Sequence, residues 1–435
     1  MLKKRKEAEN NLSHYDVRGK LFYGWVTAIA GAVIIFAASN FQYSFGVFVI
    51  PLISKFGWSR AAISGSVSTR SIINGIGAPV IGTLSDKYGP KKFIMAGIFL
   101  TGLAYLLASR ITNLSHLYLS LGILAGIGTG LFATPLIALM AKWFGHKSAF
   151  PVGIVTSGWG VGQMIIPPVA TYLLFQYGWA TCVIILGVVA WVLGSLSLIF
   201  IKSPSSNITR TPPQPLVGVV DDGTIQDKTA GDGSYTFLET WHTSAFWSMF
   251  LILMITAACY QMVVVHIIPA AIDTGITPEV AAIILTLLGI TNTLGRLLLG
   301  ALASKFGNLI VLVISAAVQA VALLFLAGTH DLQAFYIVAI VYGLTYGGVG
   351  PIIPALAGRY FGTRWIGPII GAIMLAYTTG AAIGPLLAGL IFDVRGSYFI
   401  AFSSAATAMF VAFLFCLSLK PPKKKAFTNL SEVEH

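Results

Sequence analysis

Gly82-Thr83-Leu84-Ser85-Asp86-Lys87-Tyr88-Gly89 returns as Gly300-Ala301-Leu302-Ala303-Ser304-Lys305-Phe306-Gly307, and this recurrence decides the fold. Lys142-Trp143-Phe144-Gly145 returns in the same way as Arg359-Tyr360-Phe361-Gly362. Pro51 pairs with Pro269, Asn74 with Asn292, Gly153 with Gly371, and Pro167 with Pro385. One offset of 217 or 218 residues (300 against 82, 359 against 142) serves all of them. A single spacing held across so many segments marks two related halves rather than chance likeness between apolar runs.

Composition says what fills those halves. Of 435 residues 56% are hydrophobic and 10% charged, with a mean hydropathy of +0.83. A soluble domain carries about 25% charge, so the solvent over most of this surface is lipid. A bilayer core takes roughly 20 apolar residues per helical span. Twelve such stretches are predicted, at 22–50, 60–81, 93–109, 115–141, 148–174, 177–200, 244–271, 277–299, 308–328, 333–357, 367–392 and 397–419. Helix is required because backbone polar groups in lipid must be satisfied within their own segment, and the alternating ten-residue runs of a barrel are absent.

The expected fold class is therefore an all-α membrane protein with twelve transmembrane helices in two pseudo-symmetric six-helix bundles. Its expected parts are a cytoplasmic amino-terminal segment (1–21), a first bundle (22–202), a cytoplasmic linker (203–240), a second bundle (241–420) and a cytoplasmic tail (421–435). The linker holds Pro212-Pro213, Asp221-Asp222-Gly223 and Gly231-Asp232-Gly233 and has no periodicity. The first apolar run is too long for a signal peptide's core and is read as a retained helix.

The net charge of +12 is unevenly placed. With a cytoplasmic amino terminus, outer loops hold only Lys55, Arg60, Arg110 and Arg395, and most of the 27 Lys and Arg fall inside. That is the positive-inside pattern of a multi-pass cell-membrane protein, not a nucleic-acid footprint. Cys182, Cys259 and Cys416 all lie in predicted helices and form neither a disulfide framework nor a metal site. An intramembrane enzyme needs a nucleophile–base pair or metal-binding acids and histidines. The interiors of the predicted spans hold no Asp or Glu and, of ionisable groups, only Arg70, Arg296 and His266. No enzyme, cofactor or metal is expected.

The loop between helices 2 and 3, with Gly82, Asp86, Gly89, Lys91 and Lys92, resembles the loop motif of the major facilitator superfamily. The glycines allow a tight turn, and Asp86 can accept hydrogen bonds from a helix terminus or pair with a base, forming a conformational latch. Ser304 replaces the acid in the second copy. Tyr23-Gly24-Trp25-Val26 and Lys142-Trp143-Phe144-Gly145-His146-Lys147-Ser148-Ala149-Phe150-Pro151-Val152-Gly153 resemble two signatures of the proton-linked monocarboxylate transporters, in a bacterial-type form. The first lacks that family's preceding acidic residue and glycine pair.

An ionisable group inside a membrane is costly and is a functional hypothesis by default. Arg296 lies in helix 8, roughly 12 Å from its cytoplasmic end at 1.5 Å per residue, and its repeat partner is Ala78. Asn292 precedes it by one turn on the same face. A guanidinium binds carboxylate as a planar fork, so Arg296 with Asn292 is the expected substrate grip; the competing reading pairs Arg296 with helix-end carbonyls. Arg70 shares a face with Asn74 and either lines the cavity as a second cation or bonds helix carbonyls. Tyr43, Tyr346 and Tyr377 lie mid-span, where a phenol can bond a carboxylate and shield it. His266 is the proton-carrying candidate; the alternative is a histidine satisfied at the outer interface.

The resemblance implies symport of a small monocarboxylate, of lactate or pyruvate type, with a proton, by a protein that works as a monomer. It also places that family's first-helix lysine at Tyr43 and its helix-8 aspartate at Asn292, so both usual proton-handling groups are replaced here. The competing functions are an organic-anion antiporter of the oxalate/formate type and a non-transporting membrane sensor. Helix 11 offers no Lys or Arg between Trp365 and Asp393, which favours one carboxylate, although Arg70 could supply a second cation.

Overall fold

A computed structural model describes residues 23–144, 149–204, 235–362 and 366–422, and among them all regular structure is helical. The predicted amino-terminal segment and most of the linker and tail lie outside the described residues. In the first half the helices are α1 (Tyr23–Phe56), α2 (Arg60–Tyr88), α3 (Pro90–Ala108) and α4 (Leu114–Phe144). Ala149–Ile199 then runs as one element with non-helical backbone at Gly178, which divides it into α5 and α6. The second half contains α7 (Ser244–Asp273), α8 (Pro278–Phe306), α9 (Asn308–Ala327), α10 (Leu332–Phe361), α11 (Ile366–Arg395) and α12 (Phe399–Ser418).

Among the described residues ten helices are long and apolar enough to cross a membrane. The broken α5–α6 element counts once among them, and α2 is long enough but rich in Ser, Thr and Asn. Their outer faces carry exposed Leu297, Val321, Ile199 and Tyr172, an apolar surface suited to lipid. Helix ends overshoot the predicted apolar runs: α2 continues to Tyr88 and α8 to Phe306. Chain beyond the apolar core keeps its helical hydrogen bonds and simply enters the headgroup layer.

The internal repeat is visible in the backbone. Positive φ occurs at Gly57 and Gly275, at Gly89 and Gly307, and at Gly178 and Gly396. Each pair sits at the offset read from the sequence, and each closes the same turn in its half. Only glycine takes up this conformation without steric penalty.

The halves meet along α2–α11, α5–α8 and α1–α7. With no hydrophobic force to separate helix from lipid, close packing depends on small residues. Gly46 of α1 lies against the Val264 and Val265 carbonyls of α7, and Gly389 of α11 against the backbone of Arg60 and Ala61 in α2. Hydrogen bonds joining the halves gather toward the end where α2 begins. There Arg60 Nη2 pairs with Asp273 Oδ1 at 2.8 Å, and Arg60 Nη1 donates to the Tyr398 hydroxyl at 2.6 Å. The Arg60 guanidinium also lies 3.6 Å from the centre of the Phe392 ring. Asp393 accepts from the backbone N–H groups of Arg60 and Ala61, both at 2.8 Å, so a carboxylate of the second half caps a helix of the first. At the opposite end Gly153, Gly300 and Gly371 face open space.

A β-carbon at Gly389 would stand 2.7 Å from Ala61 Cα. Gly389→Leu is expected to force α2 and α11 apart at a cost of ~1–3 kcal/mol, read as a lower melting temperature of the purified protein. Gly371→Ala, facing open space, is expected to leave that temperature unchanged.

A candidate anion site between the halves

Arg296 sits on α8 one turn beyond Asn292, and the two are bonded to each other: Arg296 Nε donates to Asn292 Oδ1 at 3.2 Å. That bond orients the amide, whose Nδ2 donates to the Tyr260 hydroxyl of α7 at 2.9 Å. Tyr260 in turn donates to Gln163 Oε1 of α5 at 2.7 Å. Every member has one defined role, so the chain Arg296–Asn292–Tyr260–Gln163 runs from the second half into the first. It uses only one donor of the Arg296 fork. Both Nη groups lack a protein partner among the described residues, and so does the buried Gln163 Nε2.

Aromatic rings wall this chain. Tyr260 and Tyr346 stack with centroids 3.6 Å apart and planes 2° from parallel, and Tyr342 continues the stack at 6.4 Å. Tyr346 and Tyr377 lie within electrostatic reach of each other. Tyr43 lies within electrostatic reach of Arg296, Arg70 and Tyr377. Arg70 of α2 is buried, has no hydrogen bond or ion pair among the described residues, and acts electrostatically on Tyr43, Tyr377 and Tyr105. The two arginines, one from each half, thus both act on Tyr43 and Tyr377, and among the described residues neither is paired with a carboxylate. Tyr43, Arg70, Asn292, Arg296, Tyr346 and Tyr377 are linked into one group by these interactions.

Three expectations fall elsewhere. Asn74 is half-buried and forms no hydrogen bond among the described residues. Gly89 ends α2 with φ of 92° and Lys91 and Lys92 are exposed at the start of α3, giving the expected turn. Gly82 approaches only Thr134 of its own half, and the Asp86 side chain, the core of the expected latch, lies outside the described residues. His266 is fully buried and away from the tyrosines. It contacts Tyr398, the Pro385 carbonyl and Ser64 at the α2 end of the contact between halves.

Tyr260 is the central residue that sequence reading missed. It sits in an apolar helix with no charged neighbour. The one available signal was its place two turns before Pro269 on a helix facing the other half. The Arg60–Asp273–Asp393–Tyr398 network was missed as well, because those residues were assigned to loops and helix ends.

The sequence matches the Major Facilitator Superfamily over residues 28–377 and 249–434. It is 25% identical to Monocarboxylate transporter 13 of Rattus norvegicus over 386 residues, covering 87% of this chain and 85% of that one. It is 24% identical to human Monocarboxylate transporter 12 over 398 residues (87% and 77%). It is 25% identical to YhjX, an uncharacterised transporter of Escherichia coli K12, over 342 residues (78% and 81%). Among solved structures the fold matches a bacterial homologue of the human lysosomal transporter Spinster, with TM-score 0.65 at 14% identity (91% and 95%). It also matches the nucleoside transporter NupG, with TM-score 0.68 at 13% identity (91% and 99%). The chain belongs to the Major Facilitator Superfamily and is a multi-pass membrane transport protein.

Proposed function

We propose that this transporter carries a small monocarboxylate of the lactate or pyruvate type by alternating access, in symport with a proton. The observation that carries the reading is the pair Arg70 and Arg296, buried or half-buried and uncompensated, set around Tyr43 and Tyr377. Unpaired cations in a low-dielectric interior are costly, and an anion offsets that cost. A carboxylate can take both free Nη groups of Arg296 in the bidentate geometry that guanidinium favours, with the Tyr377 and Tyr43 hydroxyls near it. The names of the relatives at about 25% identity point to the same substrate class.

Because each half contributes one arginine, the empty site holds two like charges across the interface and the filled site holds an anion between them. Substrate therefore favours approach of the halves around it, which alternating access needs. We also carry forward twelve spans, a monomer and cytoplasmic termini. In that orientation Lys87, Lys91, Lys92 and Lys305 face the cytoplasm, and the Arg60 end, which the hydrogen bonds between the halves seal, faces outward.

A second reading is favoured by Arg70: with two cations the site could hold a dicarboxylate, as in an oxalate/formate-type exchanger. Uptake of labelled lactate into proteoliposomes, with and without an inward proton gradient and with oxalate as competitor, separates the two. Gradient-stimulated lactate uptake that oxalate does not suppress is expected; a clear preference for oxalate would replace the monocarboxylate reading. Arg296→Ala is expected to lower uptake at sub-saturating lactate by about 30-fold, equivalent to ~2 kcal/mol. Uptake indifferent to that change removes the proposed site.

Tyr260→Phe strips Asn292 of an acceptor and Gln163 of a donor, each costing ~1–3 kcal/mol when buried. The expected result is a weaker KM for lactate with protein yield retained.

A further inference from the structure

One protonation state of His266 satisfies all the hydrogen bonds around it. The Pro385 carbonyl can only accept, so His266 Nε2, 2.9 Å away, carries a hydrogen. Arg60 can only donate, so its bond at 2.6 Å occupies a lone pair of the Tyr398 oxygen. With His266 Nδ1 bare, the single Tyr398 proton has an acceptor there at 2.8 Å and no bond is left unmade. The Ser64 hydroxyl of α2 completes the shell at 3.2 Å from Nε2. The sealed end is thus assembled on a neutral imidazole with its hydrogen on Nε2.

A second proton on that ring would go to Nδ1. Arg60 and His266 would then both donate to one phenol oxygen, and the phenol's own proton would lose its acceptor. Two cations would also share that oxygen. The facing charges are Arg60 from α2, Asp393 from α11 and Asp273 from the end of α7 itself. Neither acid is free to answer the new charge: Asp273 is paired with Arg60, and Asp393 holds the first N–H groups of α2. Tyr398, Pro385 and Asp393 belong to the second half and Arg60, Ala61 and Ser64 to the first, so the conflict arises where the halves are joined.

We propose that His266 is a proton-binding site of the seal itself, distinct from the anion site, and that its protonation opens that end of the transporter. The open state binds the proton more tightly, so the seal is stable when the ring is neutral and weakens as pH falls. Acid on that side holds the mouth open for loading, and closure follows loss of the proton. This inference does not depend on which anion is carried.

The test is a distance measurement made without any anion substrate. Lys55→Cys at the end of α1 and Thr277→Cys before α8 are exposed positions in opposite halves at the sealed end, while the three native cysteines are buried. Spin labels on the pair, in nanodiscs, report opening by pulsed electron resonance. Lowering pH from about 8 to about 5.5, across the range where histidine titrates, is expected to raise the open fraction about tenfold, the effect of one pK unit of coupling. His266→Gln keeps one donor and one acceptor but cannot take the proton; it is expected to hold the pair at the short distance at both pH values. Should H266Q not fold, H266N serves the same comparison. A wild-type distribution indifferent to pH, or an undiminished acid response in the amide variant, overturns the proposal. Lactate uptake in the same preparations reports on the anion site separately.

Discussion

A backbone surrounded by lipid has no water to complete its hydrogen bonds, and this constraint sets the form of everything else in the molecule. It makes each crossing a helix, and it removes the hydrophobic effect as a force between helices. What then decides which helices touch is how closely two backbones can come. At Gly46 and Gly389 they come within contact of carbonyls or main chain of the other half. These are the points where one half is pressed on the other. Polar side chains are few, so each one that crosses the interface has an outsized influence on where the halves part.

That scarcity explains what could be read from the sequence. Arg296 stands out because a guanidinium in an apolar run is expensive and its repeat partner is Ala78. The paired turns at Gly89 and Gly307 stand out because a positive φ demands glycine in both halves. Tyr260 carries no such mark. A tyrosine in an apolar helix is ordinary packing until the partner helix is known, and its partners Asn292 and Gln163 lie on α8 and α5. The seal was hidden for a different reason: Arg60, Asp273, Asp393 and Tyr398 belong to four helix ends, and nothing local links them.

The two polar constellations divide the work in a way their chemistry makes plain. Around Arg296 and Arg70 there is positive charge with no ion pair to a carboxylate among the described residues, which is why an anion from outside the chain is proposed there. Around Arg60 both Nη groups and the backbone N–H meet acceptors, and Asp273 and Asp393 balance the guanidinium and the helix terminus. The first is built to be incomplete when empty. The second is complete, and is disturbed only by adding a proton or pulling the halves apart.

The polarity of α2 has a consequence for how the protein is made. Its Ser64 and Ser68 hydroxyls meet His266 of α7 and the Ala382 carbonyl of α11, and both partners emerge from the ribosome long after α2 itself. During that interval the Ser64 and Ser68 hydroxyls of the first half lack these two partners. The polar face of α2 is therefore completed only when α7 and α11 have been made, so this part of the first half depends on the second for its partners.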